Sequence, residues 1–197
     1  MRLAVLLSGR GSNFQAIHEA IERGELAAKI VCVISNRPDA PGLARAREYG
    51  YDARLLDHKT FANRAAHEAA VLKALQETRP DLIVLAGYMR LLSADFVARW
   101  RNRIVNIHPS LLPSFPGVDA QAQAIRHGVK ISGCTVHFVD ENLDAGPILL
   151  QRAVEVHDDD TAETLSARIL AEEHRAYVEA LRKLAADPRF GRADDRS

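Results

Sequence analysis

The sequence predicts an α/β domain built on an open, mostly parallel twisted sheet with helices on both faces and antiparallel strands near the C-terminal part. Three observations carry this. Leu3–Leu7, Ile30–Ile34 and Leu82–Ala86 are short runs with almost no polar interruption, as expected of strands buried on both faces of a parallel sheet. Helical stretches separate them, and such alternation demands right-handed crossovers. The rhythm then changes beyond the proline-punctuated loop at 109–113, where two strand-like runs follow one another with no helix between.

Taken in order, Leu3–Leu7 leads into the turn Ser8–Asn13 and a helix over Phe14–Arg23. Ile30–Ile34 is followed by the turn Asn36–Gly42 and a helix through Glu48, and Ala53–Leu56 is a weaker third strand. An Ala-rich helix runs from near Thr60 to Glu77, ahead of the strand Leu82–Ala86. Ser93 caps a short helix through Trp100, and Ile104–Asn106 is the fifth strand. A helix over about Ala120–Arg126 precedes Gly133–Asp140, Asn142–Gly146 and Ile148–Val156, the closing runs reading as antiparallel strands with a tight connection. Thr161–Ala186 is a helix whose apolar face carries Leu165, Ile169, Val178, Leu181 and Leu184. No repeat or linker divides the chain, so a single domain is expected over 1–187, with a polar, frayed tail at 188–197.

Composition narrows the function. The chain has 197 residues, 47% of them hydrophobic, with 26 basic residues balanced by 26 acidic ones. It can bury a sizeable core, and it has no net field to attract nucleic acid or an acidic membrane surface. No apolar stretch approaches the ~18 residues of a membrane span, and Leu3–Leu7 is too short for a secretory leader. Cys32 and Cys134 lie in apolar runs, which suits buried, reduced thiols and a cytoplasmic location. The eight histidines are never closer than nine positions, and there is no Cys-x-x-Cys, so no metal site is expected.

Chemistry concentrates in Ile104-Val105-Asn106-Ile107-His108-Pro109-Ser110-Leu111-Leu112-Pro113. Strand alternation sends Asn106 and His108 one way and Val105 and Ile107 the other, while Pro109 keeps His108 extended. A carboxamide and an imidazole thus emerge side by side at a strand's carboxyl end, where open α/β sheets bind ligands. A turn-capping amide beside a loop histidine would look the same. Ser8-Gly9-Arg10-Gly11-Ser12-Asn13 follows the first strand and opens the first helix, whose free N–H groups attract anions. Phe14 occupies the place of a third dinucleotide-fingerprint glycine, and no Gly-Lys-Ser/Thr follows. The turn suits a single phosphate, or simply a tight strand–helix junction. Asp144, in Asp140-Glu141-Asn142-Leu143-Asp144-Ala145-Gly146-Pro147, could orient an imidazole, although many acidic loops are only solvated. Arg64 and Arg90 could hold a carboxylate, and His137 reads as a satisfied sheet histidine.

Four ordered motifs carry a resemblance: Gly11-Ser12-Asn13, Ala86-Gly87-Tyr88-Met89-Arg90-Leu91-Leu92, Asn106 to Pro113, and Leu143-Asp144-Ala145-Gly146-Pro147. Over about residues 2–185 the chain resembles the folate-dependent formyltransferases, in particular their phosphoribosylglycinamide formyltransferase branch. The resemblance implies a Rossmann-like formyltransferase fold. It also implies transfer of formyl from 10-formyltetrahydrofolate, as co-substrate, to the amine of glycinamide ribonucleotide, without a metal. Asn106, His108 and Asp144 would be catalytic, while Gly11, Ser12, Asn13 and Glu173 would hold the ribonucleotide. Arg64, Met89, Arg90, Leu91 and Leu92 would line the folate pocket with Asn106, Asp140, Glu141, Asn142, Leu143 and Asp144. The family also implies a cis Leu112–Pro113 bond. Asp119 stands where many members carry histidine and others aspartate. Partners would be small molecules, with no nucleic acid or membrane, and the chain a monomer or homodimer. The hydrolytic and tRNA-directed branches have further domains and, for the latter, a basic surface, neither of which is expected here.

Overall fold

The computed structural model describes residues 1–190. Seven strands form one sheet: β1 (Arg2–Leu7), β2 (Lys29–Ser35), β3 (Ala53–Leu55), β4 (Leu82–Leu85), β5 (Ile104–His108), β6 (Ile131–Phe138) and β7 (Ile148–Glu155). They lie in the order β3-β2-β1-β4-β5-β6-β7. β1 to β5 are mutually parallel, whereas β6 runs antiparallel to β5 and β7 antiparallel to β6. The helices are α1 (Ser12–Glu22), α2 (Pro41–Glu48), α3 (Arg64–Thr78), α4 (Ala94–Arg99), α5 (Ala120–His127) and α6 (Ala162–Ala185).

Strand alternation makes two cores. Leu3, Val5 and Leu7 of β1 pack with α1, α2, α5 and α6 on one face. Ala4 and Leu6 pack with α3 and α4 on the other. Among the described residues, Tyr177, Phe14 and Phe96 are the bulkiest fully buried side chains, and burying a large apolar side chain contributes ~1.5–3 kcal/mol. The Tyr177 hydroxyl lies 3.0 Å from the carbonyls of both Leu85 and Val105, its one proton shared between two adjacent strands.

Strand order reverses between β1 and β4, opening a crevice beyond their carboxyl ends. One link ties the loops there together. Ser8 Oγ donates to Asn36 Oδ1 at 2.6 Å and accepts from Met89 N at 2.8 Å, joining the segments after β1, β2 and β4.

Beyond shifts of one or two residues at the ends of several elements, three features depart from expectation. The third helix begins at Arg64 rather than near Thr60, because Asn63 Oδ1 caps it through Ala66 N at 2.9 Å. Residues 58–60 form a separate 3-10 turn. The connection between β6 and β7 is not tight: residues 139–147 start beside the beginning of β5, where Val139 N donates to Ile104 O, and travel back toward its carboxyl end. In the part of the 188–197 tail that is described, Phe190 is not frayed but turns in against the larger core; residues 191–197 lie outside the described residues.

Candidate active site

β5 supplies two side chains at once. Ile104 belongs to the α3/α4 core, and Val105 and Ile107 to the opposite one. Asn106 and His108 therefore share the parity of Ile104, as alternation predicts. His108 is buried, with Nε2 placed 2.8 Å from the Phe115 carbonyl and Nδ1 placed 3.4 Å from Asp144 Oδ2. Both ring nitrogens face oxygen acceptors.

Asp144 arrives from the 139–147 connection. Its backbone is left-handed at φ 50°, a conformation that aspartate tolerates better than most residues. Oδ2 accepts from Gly117 N at 2.8 Å, and Oδ1 lies 3.8 Å from His137 Nε2. The carboxylate is thus held by the loop after β5 and faces the imidazole of His108. The cis Leu112–Pro113 bond is present in that loop.

His137 is more than the satisfied sheet histidine expected. It pairs directly with Asn106 across the antiparallel β5–β6 ladder. Its Nδ1 bonds the Phe138 carbonyl at 2.9 Å, leaving Nε2 to accept from Asn106 Nδ2 at 3.4 Å. Burial pushes the imidazole below its ordinary pKa, which favours the neutral ring able to accept there. One amide N–H of Asn106 is spent on His137 and the other remains for a ligand. Alternation along Thr135-Val136-His137 was visible in sequence, but the register that sets His137 against Asn106 was not.

The second half of the site lies at the start of α1. Gly11 is left-handed at φ 70°, and a Cβ there would stand 2.9 Å from the Gly42 Cα, so the turn needs glycine for its conformation and its packing. No side chain caps α1 and no acid lies in its first turn, which leaves its leading N–H groups to an anion. Asn13 donates through Nδ2 to Glu173 Oε2 at 2.8 Å, while its buried Oδ1 has no partner among the described residues. Burial pushes the Glu173 carboxyl up, opposed by the Asn13 hydrogen bond and the charge of His108. Ser12 is half-buried beside them. The glycine turn and the long C-terminal helix thus meet although 160 positions separate Asn13 from Glu173.

The residues assigned to the folate pocket divide into a fixed and an exposed set. Leu92 packs on the α3/α4 core, whereas Met89, Leu91 and Leu143 are 72%, 66% and 56% exposed. Burial pushes the neighbouring Tyr88 phenol up to about 12, with Arg90 pulling the other way. Arg64 is held by Glu68, 3.1 Å from its Nε. Asp140 Oδ1 accepts from Asn142 N at 2.9 Å and shapes the start of the connection, while Glu141 is exposed. Asp119 precedes α5 at φ 55° without capping it. Sequence reasoning did not single out Glu68, and it read His137 only as a sheet histidine. Among the described residues no cluster of three His, Cys, Asp or Glu side chains is placed to hold a metal ion, and no helix is long and apolar enough to cross a membrane.

Known proteins resemble this arrangement throughout its length. A formyl transferase family profile matches residues 1–181. The chain is 47% identical over 185 residues to the trifunctional purine biosynthetic protein adenosine-3 of Bos taurus, covering 94% of this chain but 18% of that protein. It is 41% identical over 183 residues to the phosphoribosylglycinamide formyltransferase of Bacillus subtilis (strain 168), covering 93% of this chain and 94% of that one. The crystal structure of glycinamide ribonucleotide transformylase 1 from Symbiobacterium toebii is similar at a TM-score of 0.91 and 52% identity, covering 94% of this chain and 87% of that one. With a profile spanning nearly the whole fold and a sheet that superposes on solved members, the chain belongs to the formyl transferase family.

Proposed function

We propose that the chain transfers the formyl group of 10-formyltetrahydrofolate to the glycine amine of N1-(5-phosphoribosyl)glycinamide. The products are formylglycinamide ribonucleotide and tetrahydrofolate, a step of de novo purine synthesis on small molecules in the cytoplasm. The observation that carries this reading is the convergence of Asn106, His108 and Asp144 at the carboxyl end of β5, with Glu173 and the uncapped start of α1 nearby.

Each half of the site has a task. The leading N–H groups of α1, with Gly11 and Ser12, receive the phosphate. Glu173 accepts from the ribose hydroxyls, and the free Asn13 Oδ1 offers one more acceptor there. Arg64, the Met89–Leu92 segment and the Asp140–Asp144 connection enclose the folate. The amine nitrogen attacks the formyl carbon, a C–N bond forms, and the carbonyl oxygen becomes an oxyanion. The free N–H of Asn106 and an N–H of protonated His108 stabilise that charge. His108 Nε2 bonds the Phe115 carbonyl at present, so it reaches the oxyanion by exchanging that partner. Asp144 orients the imidazole and takes part in moving the proton from the attacking nitrogen to the folate nitrogen as the old C–N bond breaks.

The test is tetrahydrofolate release from 10-formyltetrahydrofolate with and without the ribonucleotide. Release that requires the ribonucleotide is expected, with formylglycinamide ribonucleotide formed in equal amount. Asn106→Ala and His108→Ala should each lose about 2.7–4 kcal/mol of transition-state stabilisation, on the order of 10²–10³ in kcat, with folding intact by circular dichroism. Release independent of the ribonucleotide would indicate hydrolysis of the donor instead, and near-parental turnover in both variants would overturn the mechanism.

A further inference from the structure

Glu68 is a carboxylate where a carboxylate is costly. It sits on the second turn of α3, 8% exposed, and burying an ionised group without full pairing costs several kcal/mol. Three donors satisfy it: Arg64 Nε at 3.1 Å, Ser93 N at 2.9 Å and the Ser93 hydroxyl. Ser93 in turn caps α4, accepting from Phe96 N at 3.2 Å. These contacts join α3 to the end of a segment with no regular structure of its own.

That segment is Met89–Leu92. Its leading end is tied by Met89 N to Ser8 Oγ at 2.8 Å, and its trailing end runs into Ser93, which Glu68 grips. Between the two ties Leu92 packs on the α3/α4 core, while Met89 and Leu91 stand largely exposed. On the other side Glu68 engages only Nε of Arg64, a guanidinium whose side chain is 45% exposed, and this leaves both terminal nitrogens free to fork onto a carboxylate. One buried acid therefore sets both the direction of a cation and the position of an apolar wall.

We propose that Glu68 is a positioning residue for the one-carbon donor, aiming the Arg64 guanidinium and pinning the Ser93 end of the Met89–Leu92 wall without touching the reacting atoms. The inference rests on the reading of Arg64 and Met89–Leu92 as the donor pocket.

The experiment compares the parent chain with Glu68→Gln, Arg64→Ala, the double variant and Glu68→Asp. It measures calorimetric affinity for tetrahydrofolate, KM for 10-formyltetrahydrofolate and for the ribonucleotide, kcat, and Tm. Glu68→Gln should weaken tetrahydrofolate binding and raise the donor KM by about tenfold, with a smaller increment in the Arg64→Ala background. The ribonucleotide KM and kcat should stay within about twofold of the parent, because Glu68 lies outside the ribonucleotide half of the site. Glu68→Asp should recover part of the loss. A Glu68→Gln chain with lowered Tm but parental donor affinity would overturn the proposal, as would equal fold-changes in the presence and absence of Arg64. A parent chain that binds no tetrahydrofolate would overturn the donor-pocket reading and this inference together. A parent that binds it, beside an unaffected Glu68→Gln, would overturn this inference alone.

Discussion

Glu173 shows at the scale of one residue how a binding site trades against stability. Its carboxyl is buried, and among the described residues the amide of Asn13 is its one hydrogen-bond donor. Burial raises its pKa above the ordinary 4.5. A carboxyl whose folded pKa is raised contributes its stability below the unfolded pKa and loses it as pH rises through the folded value. At neutral pH the ionised group therefore burdens the fold. Glu173→Gln should raise Tm at pH 7.5, an advantage that shrinks toward pH 4.5, while the ribonucleotide KM rises because an anionic acceptor is gone. Thermal melts at the two pH values check this; an advantage of equal size at both would show that ionisation is not the cause. Loss of function with gain of stability is the usual trade at such positions. Asn106 and His108 were legible as a pair because alternation is local. His137 was not, since its partner is chosen by a strand register that only the paired sheet displays.

At the scale of elements, the 139–147 connection decides whether Asp144 reaches His108. Gly146 leaves no room for a side chain: a Cβ there would lie 2.0 Å from the Phe138 carbonyl oxygen and 3.3 Å from Asp140 N. Both neighbours are backbone, so neither can step aside cheaply. Gly146→Ala should displace the connection and carry Asp144 away from the imidazole. The expected result is a fall in kcat of at least about tenfold, with the ribonucleotide KM near the parent value, because the α1 half of the site is untouched. Steady-state kinetics on the purified variant measures it; a parental kcat would mean that the connection tolerates the shift. The motif was readable as an acidic turn between strands. Its length was misjudged, because spacing does not reveal that β6 ends beside the beginning of β5.

For the whole molecule, pH acts through buried and half-buried histidines. Burial pushes His67, His137 and His174 below the ordinary 6.5. A histidine whose folded pKa is depressed binds fewer protons folded than unfolded once pH falls below the unfolded value, so stability drops through that window. Tm should therefore decline between pH 7.5 and pH 5.5. His67→Phe should flatten the decline, since His67 is nearly inaccessible and its Nδ1 has no partner among the described residues. Glu173 works in the opposite direction. Melting curves across the range test the sign, and a Tm rising toward pH 5.5 would contradict it.

The sequence by itself determined the parallel sheet, the glycine turn at the start of α1 and the shared orientation of Asn106 and His108. Each follows from forces acting over a few residues: apolar runs, left-handed turns and the two-residue period of a strand. Only the tertiary structure decided that Asp144 returns along β5 to meet His108, that His137 holds the amide of Asn106, and that Glu68 clamps Ser93. Those meetings depend on strand order and register, which the packing of two cores selects collectively and no local pattern encodes.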